Sequence, residues 1–162
     1  MGSGLRVSDL VEIAERRRAR QPQEQRSVLF CSSCGEVVER AGQRRVCADC
    51  GMGVLLRTAA GALPSPRAAF LVVDRDLRVS AVSSAGERVF GDHAQGRTLE
   101  SLLRARRGNS ELSRHVARAA NGLNGTARLE VSVMGRRGPF EARISPCGPP
   151  RAALVAVERP RS

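Results

Sequence analysis

From Ala68 onward, apolar positions fall into short runs whose period changes twice. Phe70-Leu71-Val72-Val73 predicts a strand ending at Asp74, and Arg75-Asp76 predicts a turn. Leu77, Val79 and Ala81 then alternate along a second strand that closes at Val82. Ser84–Phe90 reads as a short helix stopped by Gly91. Leu99, Leu102 and Leu103 predict another helix, capped by Thr98. A third, capped by Asn109 or Ser110, sets Leu112, Val116, Ala119 and Leu123 at helical spacing and stops at Asn121-Gly122. The period then returns to two. Leu129, Val131 and Val133 alternate with Arg128, Glu130 and Ser132, and Gly135-Arg136-Arg137-Gly138 is a hairpin turn. Phe140, Ala142 and Ile144 alternate with Glu141, Arg143 and Ser145, Cys147-Gly148-Pro149-Pro150 is the next turn, and Ala153 to Glu158 is the last strand. Strand, strand, helices, then three strands imply an α+β fold: an antiparallel five-stranded sheet with helices on one face.

The first part of the chain follows different rules. Residues 8–20 predict a helix, with Asp9 and Glu12 as a capping box and Leu10, Val11, Ile13 and Ala14 as its apolar stripe. It turns basic at Arg16-Arg17-Arg18-Ala19-Arg20, which suits the negative end of a helix dipole, and Pro22 ends it. Val28-Leu29-Phe30 is a strand. Glu36 to Arg40 and Gln43 to Cys47 read as two strands joined at Ala41-Gly42, and Val54 to Arg57 as a further strand. Small residues and prolines fill 59–67. The organisation expected is a helical segment over 1–26, a metal module over 27–60, a linker over 61–67 and the α+β unit over 68–160.

The metal module is expected from its cysteines. Cys31-Ser32-Ser33-Cys34-Gly35 and Cys47-Ala48-Asp49-Cys50-Gly51 repeat one unit with twelve residues between them. Two thiolates at this spacing hold one face of a tetrahedral ion, and the following glycine allows the tight turn. Thiolate softness points to a structural zinc ion on Cys31, Cys34, Cys47 and Cys50. Four protein ligands close the site, so no position remains for an activated water, and metal-assisted hydrolysis is not expected.

Composition narrows the function further. The formal charge is +11, all 27 basic residues are Arg, and aromatic residues make up 2%. Few rings argue against stacking bases or flat cofactors. Residues 27–60 carry four Arg against three acids, whereas 61–162 carry 17 Arg against nine acids, so the charge does not sit at the metal module. Arg104, Arg106, Arg107, Arg114 and Arg118 are answered in their span by Glu111 alone. They form a candidate basic face for an acidic partner or nucleic acid, weighed against a solvated surface in an Arg-biased chain. No apolar run is long enough to span a membrane and no leader pattern opens the chain, so the expected location is the cytoplasm, where thiols stay reduced.

The C-x-x-C-G knuckles resemble those of zinc ribbons and of rubredoxin. Rubredoxins surround iron with aromatics, and only Phe30 is near these cysteines. Leu71-Val72-Val73-Asp74, the helix Ala85-Gly86-Glu87-Arg88-Val89-Phe90-Gly91 and the three-strand ending resemble a PAS domain over about 66–159. Ser83 stands where many PAS domains have Asn, and Ser can cap the same turn. The resemblance implies a module that senses a small ligand, forms dimers or binds partners. It also implies where a cofactor would attach. The Asn-Cys-Arg-Phe run of flavin photosensors does not occur between Gly91 and Gly122. His115 lies on the helix that supplies a haem ligand in haem-binding relatives, at the border of its apolar face, and a boundary residue is the plainer reading. His93 reads as a solvated loop residue, Cys147 as a half-buried small residue weighed against a redox thiol, and Asp74 as a turn former.

Together these readings favour a cytoplasmic bacterial signalling or regulatory protein without catalytic activity. It would carry structural zinc, a PAS ligand of unknown identity, a homodimer contact through the N-terminal helix or the PAS-like unit, and an unknown protein partner. A nucleic-acid-binding transcriptional regulator and a redox-responsive or iron-binding rubredoxin-like protein are the alternatives.

Overall fold

The structure, a computed structural model, describes residues 26–65, 67–123 and 125–161. The helix expected over 8–20 lies outside the described residues. Among the described residues, nine strands and two α-helices follow in order. They are β1 Ser27–Cys31, β2 Val37–Val38, β3 Leu55–Ala59, β4 Ala69–Val73, β5 Val79–Val82, α1 Ser84–Phe90, β6 Leu103–Ala105, α2 Asn109–Ala120, β7 Ala127–Val133, β8 Phe140–Gly148 and β9 Ala152–Glu158.

β5, β4, β9, β8 and β7 lie side by side, each pair antiparallel, which is the five-stranded sheet expected. Alternation decides which side chains point at the helices. Phe140, Ala142 and Ile144 of β8 are buried on the helical face, together with Leu71 and Val73 of β4 and Val155 and Val157 of β9. α2 turns Leu112, Val116, Ala119 and Ala120 onto them. β4 and β9 are buried at nearly every position rather than alternating, because the opposite face of the sheet is covered too.

The cover is the cysteine module. β3 pairs with β8 at Arg57↔Gly148 and Thr58↔Cys147, so β1, β2 and β3 continue the same sheet past the end of β7. Phe30 and Leu56 cluster with Phe70, Val72, Cys147, Leu154 and Ala156 on the outer face. The rings of Phe30 and Phe70 meet edge to face, centroids 5.8 Å apart.

Several local expectations are corrected. The helix predicted from Leu99 to Leu103 is a single 3-10 turn, Leu99–Ser101, followed by β6. Leu103 and Ala105 alternate inward and pair with Val133 and Val131, and this long-range pairing outweighs one isolated helical turn, which is costly to nucleate. The two strands predicted at 36–40 and 43–47 shrink to β2 and one bridge, Val46↔Val54, because Arg44 donates its N–H back to Ala41 in a turn. β5 starts at Val79 rather than Leu77, whose φ is +59°. Asp74 Oδ1 accepts from Asp76 N at 2.9 Å and Arg78 N at 3.0 Å, which fixes that turn as the sequence suggested. Cys147 lies in β8 rather than in the following turn, because pairing with Ala152 continues past Pro146.

Candidate metal centre

Each knuckle is built by the same backbone device. Gly35 N donates to Cys31 O and Gly51 N to Cys47 O, both at 3.0 Å, and both glycines have positive φ (+76° and +68°). Cys31 N donates to Glu36 O and Cys47 N to Gly53 O, which closes each loop. The two loops face each other because Ser32 N donates to Val54 O and Ser32 Oγ accepts from Val54 N.

All four sulfurs of Cys31, Cys34, Cys47 and Cys50 lie within 4.8 Å of one another. Cys31 Sγ is 3.6 Å from Cys50 Sγ, and Cys34 Sγ is 3.9 Å from Cys47 Sγ. Zinc–sulfur bonds of about 2.3 Å put the edge of a regular tetrahedron at about 3.8 Å, so the four thiols fit the ion. Cys31 and Cys47 are buried, while Cys50 is more open. The N–H groups of Met52 and Gly53 hold the Cys50 thiol down, to about 6, whereas burial pushes the Cys34 thiol up to about 12. Burial raises the Cys31 thiol above its ordinary value, and Ser33 N and Cys34 N, which point at Cys31 Sγ from 3.3 and 3.4 Å, offset that only in part.

Gly53 completes the centre, and the C-x-x-C pattern did not single it out. A Cβ built there would fall on Cys31 Sγ and lie 2.9 Å from Ser33 Cβ and Ser33 N. The only signal was a second glycine in Cys50-Gly51-Met52-Gly53.

A family model described as PAS fold matches residues 63–158. This span holds all five strands of the main sheet and both helices. The chain belongs to the PAS fold family. Solved structures resemble the chain at low similarity. The PAS domain of nitrogen regulation protein NR(II) from Vibrio parahaemolyticus is 16% identical, with a TM-score of 0.46, covering 64% of this chain and all of that one. The PAS domain of histidine kinase ThkA is 18% identical, with a TM-score of 0.40, covering 56% of this chain and 97% of that one. A chain of the E. coli DhaR(N)-DhaL complex is 12% identical, with a TM-score of 0.40, covering 60% of this chain and only 33% of that one. No curated protein matches the sequence.

The remaining sequence-predicted residues are spread over the PAS unit. Ser83 caps α1, its Oγ accepting from Gly86 N at 2.9 Å. His115 is half-buried on α2, and among the described residues it joins no group of metal-ligating side chains. His93 is exposed in the loop after α1. Arg104, Arg106, Arg107, Arg114 and Arg118 are all exposed, and Arg106 pairs with Glu130 at 2.8 Å. Cys147 is buried beneath the cysteine module, and burial pushes its thiol up to about 12, which makes it unreactive while the cover is in place.

The segment between the module and β4 is tied down by one carboxylate. Glu158 Oε1 accepts from Ser65 N at 3.2 Å and Ser65 Oγ at 2.9 Å, with Arg143 at 3.7 Å. Burial alone would raise the pKa of Glu158. The two Ser65 bonds and the charges of Arg143 and Arg161 overcome it and hold the carboxyl below its usual value. A depressed carboxyl contributes stability above its unfolded pKa, near 4.3, and that stability is lost as pH falls through the lower folded value. Glu158→Gln is therefore expected to cost under about 1 kcal/mol at neutral pH, since the group is partly exposed, and to converge with the natural chain in acid. Urea midpoints at neutral pH and at acid pH check both the size and the direction.

Proposed function

We infer that this chain is a non-catalytic signalling protein in which the PAS unit serves as a sensor or interaction module. The cysteine module is a zinc ribbon on Cys31, Cys34, Cys47 and Cys50 that staples a cover onto the outer face of the PAS sheet. The observation that carries the reading is the pairing of a PAS fold match over 63–158 with a closed, tetrahedron-sized set of four sulfurs. A closed thiolate set supports a structural role, since no ligand position is left for water or substrate. Free thiols favour a reducing compartment such as the cytoplasm. Among the described residues, no helix is long and apolar enough to cross a membrane. The unit works with a protein partner and as a homodimer.

Native mass spectrometry of the purified chain tests this reading. The expected spectrum has one zinc per chain in a dimer. A coloured protein carrying iron would favour the rubredoxin-like alternative. A monomer free of metal would remove both the staple and the dimer.

A further inference from the structure

We propose that helix α1 of the PAS unit reads the metal occupancy of the cysteine module through a single peptide, the one that joins Ser33 to Cys34. The inference rests on the four cysteines holding zinc. Ser33 lies between two of the ligands. The N–H of this peptide, carried by Cys34, points at Cys31 Sγ from 3.4 Å. Its carbonyl leaves the module and accepts from Ser84 N at 2.8 Å and Ser84 Oγ at 3.3 Å.

Ser84 is the first residue of α1. The first N–H groups of a helix have no partner within it. Here Ser83 Oγ takes Gly86 N, and the module supplies the acceptor for Ser84 N. The same Ser83 Oγ accepts from Phe70 N at 3.0 Å, and Ser83 N donates to Phe70 O. The ring of Phe70 in turn faces Phe30 and lies 3.2 Å from where a Gly35 Cβ would sit. The start of α1, the start of β4 and the first knuckle therefore meet at one point.

α1 has only seven residues, too few to hold itself together, so its ends depend on external partners. The orientation of the Ser33–Cys34 peptide depends on Cys31 and Cys34 being held by one ion. Zinc loss frees that carbonyl and frays α1. α2, with twelve residues and four of them buried in the core, stays formed. Zinc occupancy thus becomes an input to the PAS unit.

Hydrogen exchange followed by mass spectrometry on the full chain, with zinc bound and after chelation, tests this. Peptides spanning α1 should gain about tenfold more in exchange rate than peptides spanning α2 when zinc is removed. Ser84→Pro isolates the route. Proline suits the first helical position, and Ser83, at ψ 156°, already has the conformation that precedes proline, so the helix survives while its N–H to Ser33 is gone. In that variant α1 should gain no more than α2 when zinc is removed. Its zinc affinity, measured by competition with a chromophoric chelator, should fall about fivefold, the size of one net hydrogen bond acting reciprocally. Ser84→Ala, which keeps the N–H, should still respond. The proposal is overturned if α1 in the natural chain ignores zinc removal, if α1 of Ser84→Pro still gains more than α2, or if α2 in the natural chain gains as much as α1. A chain that binds no zinc removes the metal reading, and this inference with it.

Discussion

Cys47→Ser is expected to strip zinc from the chain and release residues 27–59 from the sheet, leaving the helical face of the PAS unit folded. Cys47 is 2% exposed, and serine offers a hard, weak ligand where the site needs a soft thiolate. Apart from a metal, the module is held by a small core and by Phe30 and Leu56 packed on the outer face of the sheet. Its own core is Cys31, Cys47 and Leu55, with Val38, Ala41 and Cys50 at its edge, and it shares only two residue pairs with β8. Metal binding of this kind supplies on the order of 10 kcal/mol to small folds. The opposite core, with Leu71, Leu112, Val116, Ile144 and Val155, draws nothing from the module and should persist. Uncovering Phe70 and Val72 and losing Phe30 and Leu56 should cost the PAS unit about 3–5 kcal/mol. Chemical denaturation of the variant, with binding of a hydrophobic dye to the bared outer face, measures this. One concerted collapse in place of a destabilised but folded PAS unit would show that 27–60 and 68–160 are not separate units.

Gly53→Ala is expected to weaken zinc binding on the order of 100-fold, the upper end of what an added methyl costs in a packed site. The reason is space alone. The φ of Gly53 is not in the left-handed region, yet its Cβ would occupy the position of Cys31 Sγ and press on the Ser33 backbone. Gly51 is the control. Its φ is +68° but nothing lies within 4 Å of its Cβ position, so Gly51→Ala should cost only about 1–2 kcal/mol of backbone strain. Chelator competition on both variants separates crowding from strain. Equal losses would mean that the crowding at Cys31 is relieved by a shift of the loop.

Much of the main sheet was legible because its signals are local. The alternation of Phe140, Ala142 and Ile144, the turn at Asp74 and the stop at Gly91 each depend on neighbours a few residues away. The leucines at 99, 102 and 103 misled because helical spacing and an inward strand edge share those positions, and only β7, some thirty residues later, decides between them. Cys147 misled for a similar reason. Its surroundings read as a turn, and pairing with Ala152 carries β8 past Pro146.

The metal centre divides along the same line. Sequence alone singled out the four candidate ligands, because C-x-x-C-G sets the bite of two thiolates and the turn that presents them within five residues. It also determined an antiparallel α+β unit, because period and turn chemistry are written along the chain. Only the tertiary structure decided that the module lies over the outer face of that unit. The carbonyl of Ser33, the ring of Phe70 and the N–H of Ser84 have no pattern that relates them in the chain. Their meeting follows from β3 joining β8, a contact between residues some ninety positions apart that no local period encodes.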